Sequence, residues 1–117
     1  MKIKICGIKD VATAEFCKKS DVDFVGLVFT ESSRKISIKS AVKIVNSLGP
    51  PLHNFNLIPE LSQNSFIDVE EWFLESHKIL DSYLNIKKPL TVGVFAKESI
   101  EEINNIIKAT GIDLVQL

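Results

Sequence analysis

Segments of strand length alternate with segments of helical period along most of the chain, and this order restricts the fold more than any other feature. Ile3 to Ile5 is a short β-branched run that stops at Cys6-Gly7. Phe24 to Phe29 is a continuous apolar run, as expected of a strand covered on both faces, and Leu90 to Phe95 repeats the pattern. Each of these two runs has a glycine inside it, Gly26 and Gly93, which suggests close approach of another group. Asp113 to Leu117 begins a further strand.

Between the strands lie helices with recognisable starts. Asp10 can cap a helix over Val11 to Lys19, with Val11, Ala14 and Cys17 forming its buried stripe and Phe16 just beside it. Ser37 can cap Ile38 to Leu48, where Ala41, Ile44, Val45 and Leu48 recur at helical spacing. Ser99 and Glu102 form a capping-box pair ahead of a helix that runs to about Ala109, with Ile100, Ile103, Ile106 and Ile107 inward. Gly49 with Pro50-Pro51, and Gly111, end the last two helices.

The alternation is interrupted from Pro50 to Pro89. Leu52 to Leu61 reads as irregular, and Ser65 or Asp68 can open a helix from about Val69 to Leu84. Trp72, Phe73, Ser76, Ile79, Leu80 and Tyr83 give that helix one broad, mostly apolar face. The segment is expected to be a surface insertion packed outside the domain. A lid is the functional alternative, because long connections sometimes serve as one.

Repeated βα units with buried strands imply an α/β protein with a parallel sheet and right-handed crossovers. Pattern alone leaves two architectures, an open doubly wound sheet or part of a closed (β/α)₈ barrel. A full barrel needs about 200 to 250 residues, and this chain has 117. The last run, with no helix after it, leaves a raw sheet edge. The expectation is part of a longer protein, or one of two associating pieces.

Composition narrows the partners. A net charge of −1 with mixed signs leaves no electrostatic footprint for nucleic acid or an acidic membrane. Met1 leads straight into a strand, no apolar stretch approaches a membrane span, and a cytoplasmic location is expected. In a reducing compartment Cys6 and Cys17 are not expected to pair, and Cys17 reads as a small core residue. His53 and His77 are isolated, so no metal site is expected.

In parallel α/β proteins ligands bind at the carboxyl ends of strands. That singles out Cys6 as a nucleophile or proton carrier, with Gly7 allowing a tight turn after it. Arg34 lies on the polar loop after the second strand, and Gln116 lies near the end of the fourth.

Four blocks, in order, resemble the phosphoribosylanthranilate isomerase family: Lys4-Ile5-Cys6-Gly7-Ile8, Gly26-Leu27-Val28-Phe29 with Ser32-Ser33-Arg34-Lys35-Ile36-Ser37, Val92-Gly93-Val94-Phe95, and Leu114-Val115-Gln116-Leu117. The resemblance leaves out Pro50 to about Lys88, and Asp21-Val22-Asp23 stands where the family commonly shows Gly-Ala-Asp. It implies a partial (β/α)₈ TIM barrel, the first four strands with an inserted helical segment over about 50–88. It also implies a reaction of tryptophan biosynthesis: the Amadori rearrangement of N-(5-phosphoribosyl)anthranilate to 1-(o-carboxyphenylamino)-1-deoxyribulose 5-phosphate, with no metal or organic cofactor.

By the same resemblance Cys6 is the general base, and Arg34 holds the anthranilate end of the substrate. A planar guanidinium fork suits a carboxylate. Gln116 is a further candidate for substrate contact, and Lys35 is expected to be solvated. The family's general acid is an aspartate on a later strand, and its phosphate loops lie near the last strands. Asp113, which opens a strand at the end opposite the mouth, is not a substitute. A chain of this span alone is therefore expected to have negligible turnover.

One alternative is a non-catalytic half-barrel acting by self-association or by pairing with a complementary half. Another, a flavodoxin-like domain, would need a phosphate-cradling glycine loop or an acidic cluster at strand ends, and the sequence shows neither.

Overall fold

Three helices start on a side chain that accepts a backbone N–H, which fixes where each one begins. Asp10 accepts from the Thr13 N–H at 2.7 Å and starts α1 (Val11–Lys19). Ser37 accepts from Ser40 at 3.2 Å and starts α2 (Ile38–Ser47). Ser99 and Glu102 exchange both bonds of a capping box, at 3.1 and 2.9 Å, ahead of α4 (Ile100–Thr110). The computed structural model describes residues 1–55 and 69–117, and side chains for all of these except 55 and 69–73. The expected caps Ser65 and Asp68, and the side chains of Trp72 and Phe73, lie outside the described residues. Ser76, Ile79, Leu80 and Tyr83, on the expected face of α3 (Val69–Ile86), are half-buried.

The strands are β1 (Lys4–Cys6), β2 (Phe24–Val28), β3 (Leu90–Val94) and β4 (Leu114–Gln116), with a 3₁₀ turn at Leu52–Phe55. They form one sheet in the order β1-β2-β3-β4, every pair parallel. Register places Cys6 beside Gly26, Gly26 beside Val92, and Val92 beside Leu114.

The two faces of the sheet differ. Val25, Leu27, Phe29 and Phe95 belong to a buried cluster with Ala14 and Cys17 of α1 and Ala41, Ile44 and Val45 of α2. Ile103, Ile106 and Ile107 of α4 pack against it. Ile100 departs from the expected inward stripe: it is 80% exposed, and the packed part of α4 begins at Ile103. Burial raises the Cys17 thiol above its ordinary value, in keeping with a core role.

The opposite face carries Lys4, Cys6, Gly26, Val28, Val92, Val94 and Gln116, and none of these belongs to that cluster. Val28 and Val92 are nevertheless buried, while Lys4 and Gln116 on the outer strands are exposed. Lys4 Nζ donates to Gln116 Oε1 across the full width of the sheet. In a flat sheet strands this far apart would be separated by roughly 14 Å, with side chains standing parallel to one another. The bond fits a sheet that curls toward this face, which makes it the concave one.

The amino end of the sheet is tied together by Asp113. Its Oδ2 accepts from Lys87 Nζ at 2.8 Å, from the Thr91 N–H at 2.9 Å and from the Thr91 hydroxyl at 3.0 Å. Its Oδ1 accepts from the Leu52 N–H at 2.7 Å. Leu52 and Lys87 bracket the long connection between α2 and β3, so both of its ends are fixed at the rim opposite Cys6. The Lys2–Asp81 ion pair places α3 at that same rim.

Asp23, just ahead of β2, shows a pH-dependent contribution. The Ile3 N–H at 2.7 Å, opposed by burial and assisted by Lys88, holds its carboxyl below the ordinary carboxylate range. A depressed native pKa adds stability that is present above the unfolded value, about 4, and is lost as pH falls through the native value. Asp23→Asn is expected to lower stability at pH 7 and to flatten the acid limb of the unfolding profile. Urea midpoints between pH 7 and pH 3 test this, and parallel profiles for both proteins would refute it.

Candidate active site

Cys6 is the last residue of β1, and the chain turns immediately after it. Gly7 has φ +82°, a left-handed conformation that glycine adopts without strain. The N–H groups of Gly7 and Ile8 both donate to the Gly26 carbonyl, at 3.0 and 3.1 Å, which anchors the turn to β2. The thiol is free and half-buried.

Gly26 makes room for the sulfur. A Cβ on Gly26 would lie 2.8 Å from Cys6 Sγ, 3.1 Å from Cys6 Cα and 3.1 Å from Lys4 Cε. The close approach expected from a glycine in this strand is therefore the approach of Cys6 and Lys4. Gly93 plays a similar part on the other face, where a Cβ would meet Ile112 and Phe95 at 2.4 and 2.9 Å. Gly26→Ala is expected to fold with a loss of about 1–3 kcal/mol and to push the sulfur aside. Denaturant unfolding and the rate of Cys6 alkylation check the two parts, and an unchanged alkylation rate would refute the second.

Arg34 reaches the same rim from the loop after β2. Its side chain crosses Gly7, where a Cβ would lie 2.5 Å from Arg34 Cδ and 3.1 Å from Nη1. Arg34 Nη1 donates to the Cys6 carbonyl at 3.5 Å, a long and weak bond. The loop is shaped locally by the Ser32 hydroxyl, which accepts from the Arg34 N–H at 3.1 Å, and by the Ile36 N–H, which donates to the Val28 carbonyl at 2.9 Å. Lys35 points elsewhere and pairs with Glu31 at 2.7 Å on the surface.

Cys6 and Arg34 are thus adjacent at the carboxyl rim of the sheet. Gln116 shares the concave face, and its carbonyl oxygen receives Lys4. Sequence reasoning missed Lys4, although alternation along β1 puts residues 4 and 6 on one face. A thiol and an exposed guanidinium at one rim can serve one small molecule that carries both an acidic C–H and a carboxylate. A cavity of about 500 Å³ lies elsewhere, between the loop before α2 and α4, with Phe29, Glu98 and Ile106 in its wall, and it includes neither Cys6 nor Arg34. Among the described residues no cluster of three His, Cys, Asp or Glu can hold a metal ion, and no helix is long and apolar enough to cross a membrane.

No family model matches the chain. It is 38% identical to N-(5'-phosphoribosyl)anthranilate isomerase of Wickerhamomyces anomalus, with all of this chain and 49% of the relative covered. It is 33% identical to a multifunctional tryptophan biosynthesis protein of Phycomyces blakesleeanus, again over the whole chain but over 15% of that protein. A solved phosphoribosyl anthranilate isomerase, in complex with reduced 1-(o-carboxyphenylamino)-1-deoxyribulose 5-phosphate, superposes with a TM-score of 0.62 at 26% identity, covering 100% of this chain and 42% of that one. The four parallel strands with their helices are accordingly part of a (β/α)₈ barrel. In sequence and in fold the chain is related along its whole length to the phosphoribosylanthranilate isomerases, and it spans about half or less of the relatives it matches.

Proposed function

We propose that this chain supplies the base and the anthranilate-binding side of an Amadori isomerisation in tryptophan biosynthesis. The substrate is N-(5-phosphoribosyl)anthranilate, and the product is 1-(o-carboxyphenylamino)-1-deoxyribulose 5-phosphate. The observation that carries the reading is the meeting of Cys6 and Arg34 over Gly7 at one strand-end rim, in a chain related to isomerases of this name.

The chemistry needs two proton transfers. An acid protonates the ring oxygen, and the C1–nitrogen unit opens the ring as an iminium ion. A base then removes the proton from C2, and the electron pair neutralises the iminium to give an enolamine that becomes the ketone. Cys6, as thiolate, takes the C2 proton. Arg34 holds the anthranilate carboxylate with its two-donor fork and so fixes C2 against the sulfur. The ring-opening acid and the phosphate site lie outside these 117 residues in this reading.

The test is a chimera that joins this chain to the part of the Wickerhamomyces anomalus relative it does not span. The chimera is expected to turn over the substrate, while the 117-residue chain alone shows negligible turnover. A folded but inactive chimera would sink the assignment. Turnover by the chain alone, abolished by Cys6→Ala, would show that the acid is already present. Within the chimera, Arg34→Met is expected to raise KM by about tenfold or more, the worth of a hydrogen bond to a charged group, with a smaller change in kcat. Steady-state kinetics decide it, and an unchanged KM would remove Arg34 from the site.

A further inference from the structure

We propose that Lys4 is a further substrate-facing group, its ammonium holding an oxygen of the sugar chain beside the carbon that Cys6 deprotonates, with Gln116 as its positioning residue. The inference rests on the isomerase reading and extends it to a residue two positions before the thiol.

Three observations support it. First, Lys4 and Cys6 share the concave face, and Lys4 Cε and Cys6 Sγ lie 3.1 and 2.8 Å from the same point, the Cβ that Gly26 lacks. The absent side chain leaves room over β2 for both the lysine chain and the sulfur. Second, the ammonium is directed by Gln116 Oε1 from β4, so the side chain spans the concave face and does not extend freely into water. Third, no carboxylate among the described residues pairs with Lys4, so its charge is not already neutralised by a neighbour. An ammonium has three donors, and Gln116 occupies one. The remaining donors suit the hydroxyl or carbonyl oxygens of an opened sugar, which sit next to the reacting carbon. Because Gln116 spends its carbonyl oxygen on Lys4, its amide N–H groups remain to donate to the same ligand.

Alkylation of Cys6 in the chain as it stands gives a test that needs no turnover. Cys17 is 2% exposed, and peptide mass spectrometry separates the two thiols. The probes are iodoacetate, an anion, and iodoacetamide, its neutral counterpart. Lys4→Met is expected to lower the iodoacetate-to-iodoacetamide rate ratio by about fourfold at low salt, the order expected when an anionic probe loses one neighbouring unit charge in water, and Lys4→Arg to restore it. An unchanged ratio in folded Lys4→Met overturns the proposal. In an active chimera, Lys4→Met is expected to lower kcat/KM by about tenfold or more, with partial rescue by Lys4→Arg. An unchanged kcat/KM also overturns it. A folded chimera with no activity defeats the isomerase reading alone, because the alkylation ratio still reports whether the cation faces the sulfur.

Discussion

Asp113→Ala is expected to cost the chain about 3–5 kcal/mol, because it leaves one member of a buried ion pair without its partner. The side chains of Lys87 and Asp113 are 4% and 0% exposed, so neither charge is shielded by water. Removal of the carboxylate strands the Lys87 ammonium and also deprives the Thr91 and Leu52 N–H groups of their acceptor. Each of those losses adds a desolvation penalty. For a domain of this size the sum is a large part of total stability. Lys87→Met should cost less, because the remaining carboxylate keeps three donors. In the double variant, Lys87→Met should recover part of the Asp113→Ala loss. Urea unfolding of the three proteins measures the coupling, and a loss under about 1 kcal/mol for Asp113→Ala would show that the pair carries little of the fold's stability.

That network also separates what the sequence discloses from what it hides. The starts of α1, α2 and α4 are readable because each depends on a side chain and an N–H three residues apart, at Asp10, Ser37 and Ser99. The strands are readable because burial leaves an apolar run. Ile100 misleads because spacing assigns it to the inward stripe, while only the tertiary fold shows that packing along α4 begins at Ile103. Asp113 reads as nothing more than the residue that opens a strand. Its partners Leu52 and Lys87 stand 61 and 26 positions away, and no local pattern joins them.

The candidate site divides in the same way. Cys6 and Arg34 are found through a strand end and a loop, both local features. Gly26 announces a close approach but does not name what approaches. Lys4 is hidden because a lysine in a short exposed strand reads as solvent-facing. It gains meaning only when the sheet curls and brings Gln116 within reach.

Cys6→Ala in the chimera is expected to reduce kcat by about 10²- to 10⁴-fold, the range for a general base in direct contact with the reacting proton. KM should stay within a few-fold, because the proposed carboxylate-binding group, Arg34, remains. Cys6→Ser should be nearly as damaging. Serine preserves size and hydrogen bonding, but its hydroxyl is a far weaker base than a thiolate and gives up its proton much less readily. A thiol gives up its proton far more readily, and its reactivity follows the thiolate. Cys17→Ala separates a general loss of sulfur from loss at the site. Cys17 is buried among the residues between α1 and the sheet, so this change is expected to cost some stability and leave kcat unaltered. Stopped-flow or steady-state turnover of the three variants decides among them. If Cys6→Ala retained a tenth or more of the wild-type kcat, the proton at C2 would be leaving by another route, and the thiol at the rim would be a neighbour of the chemistry without taking part in it.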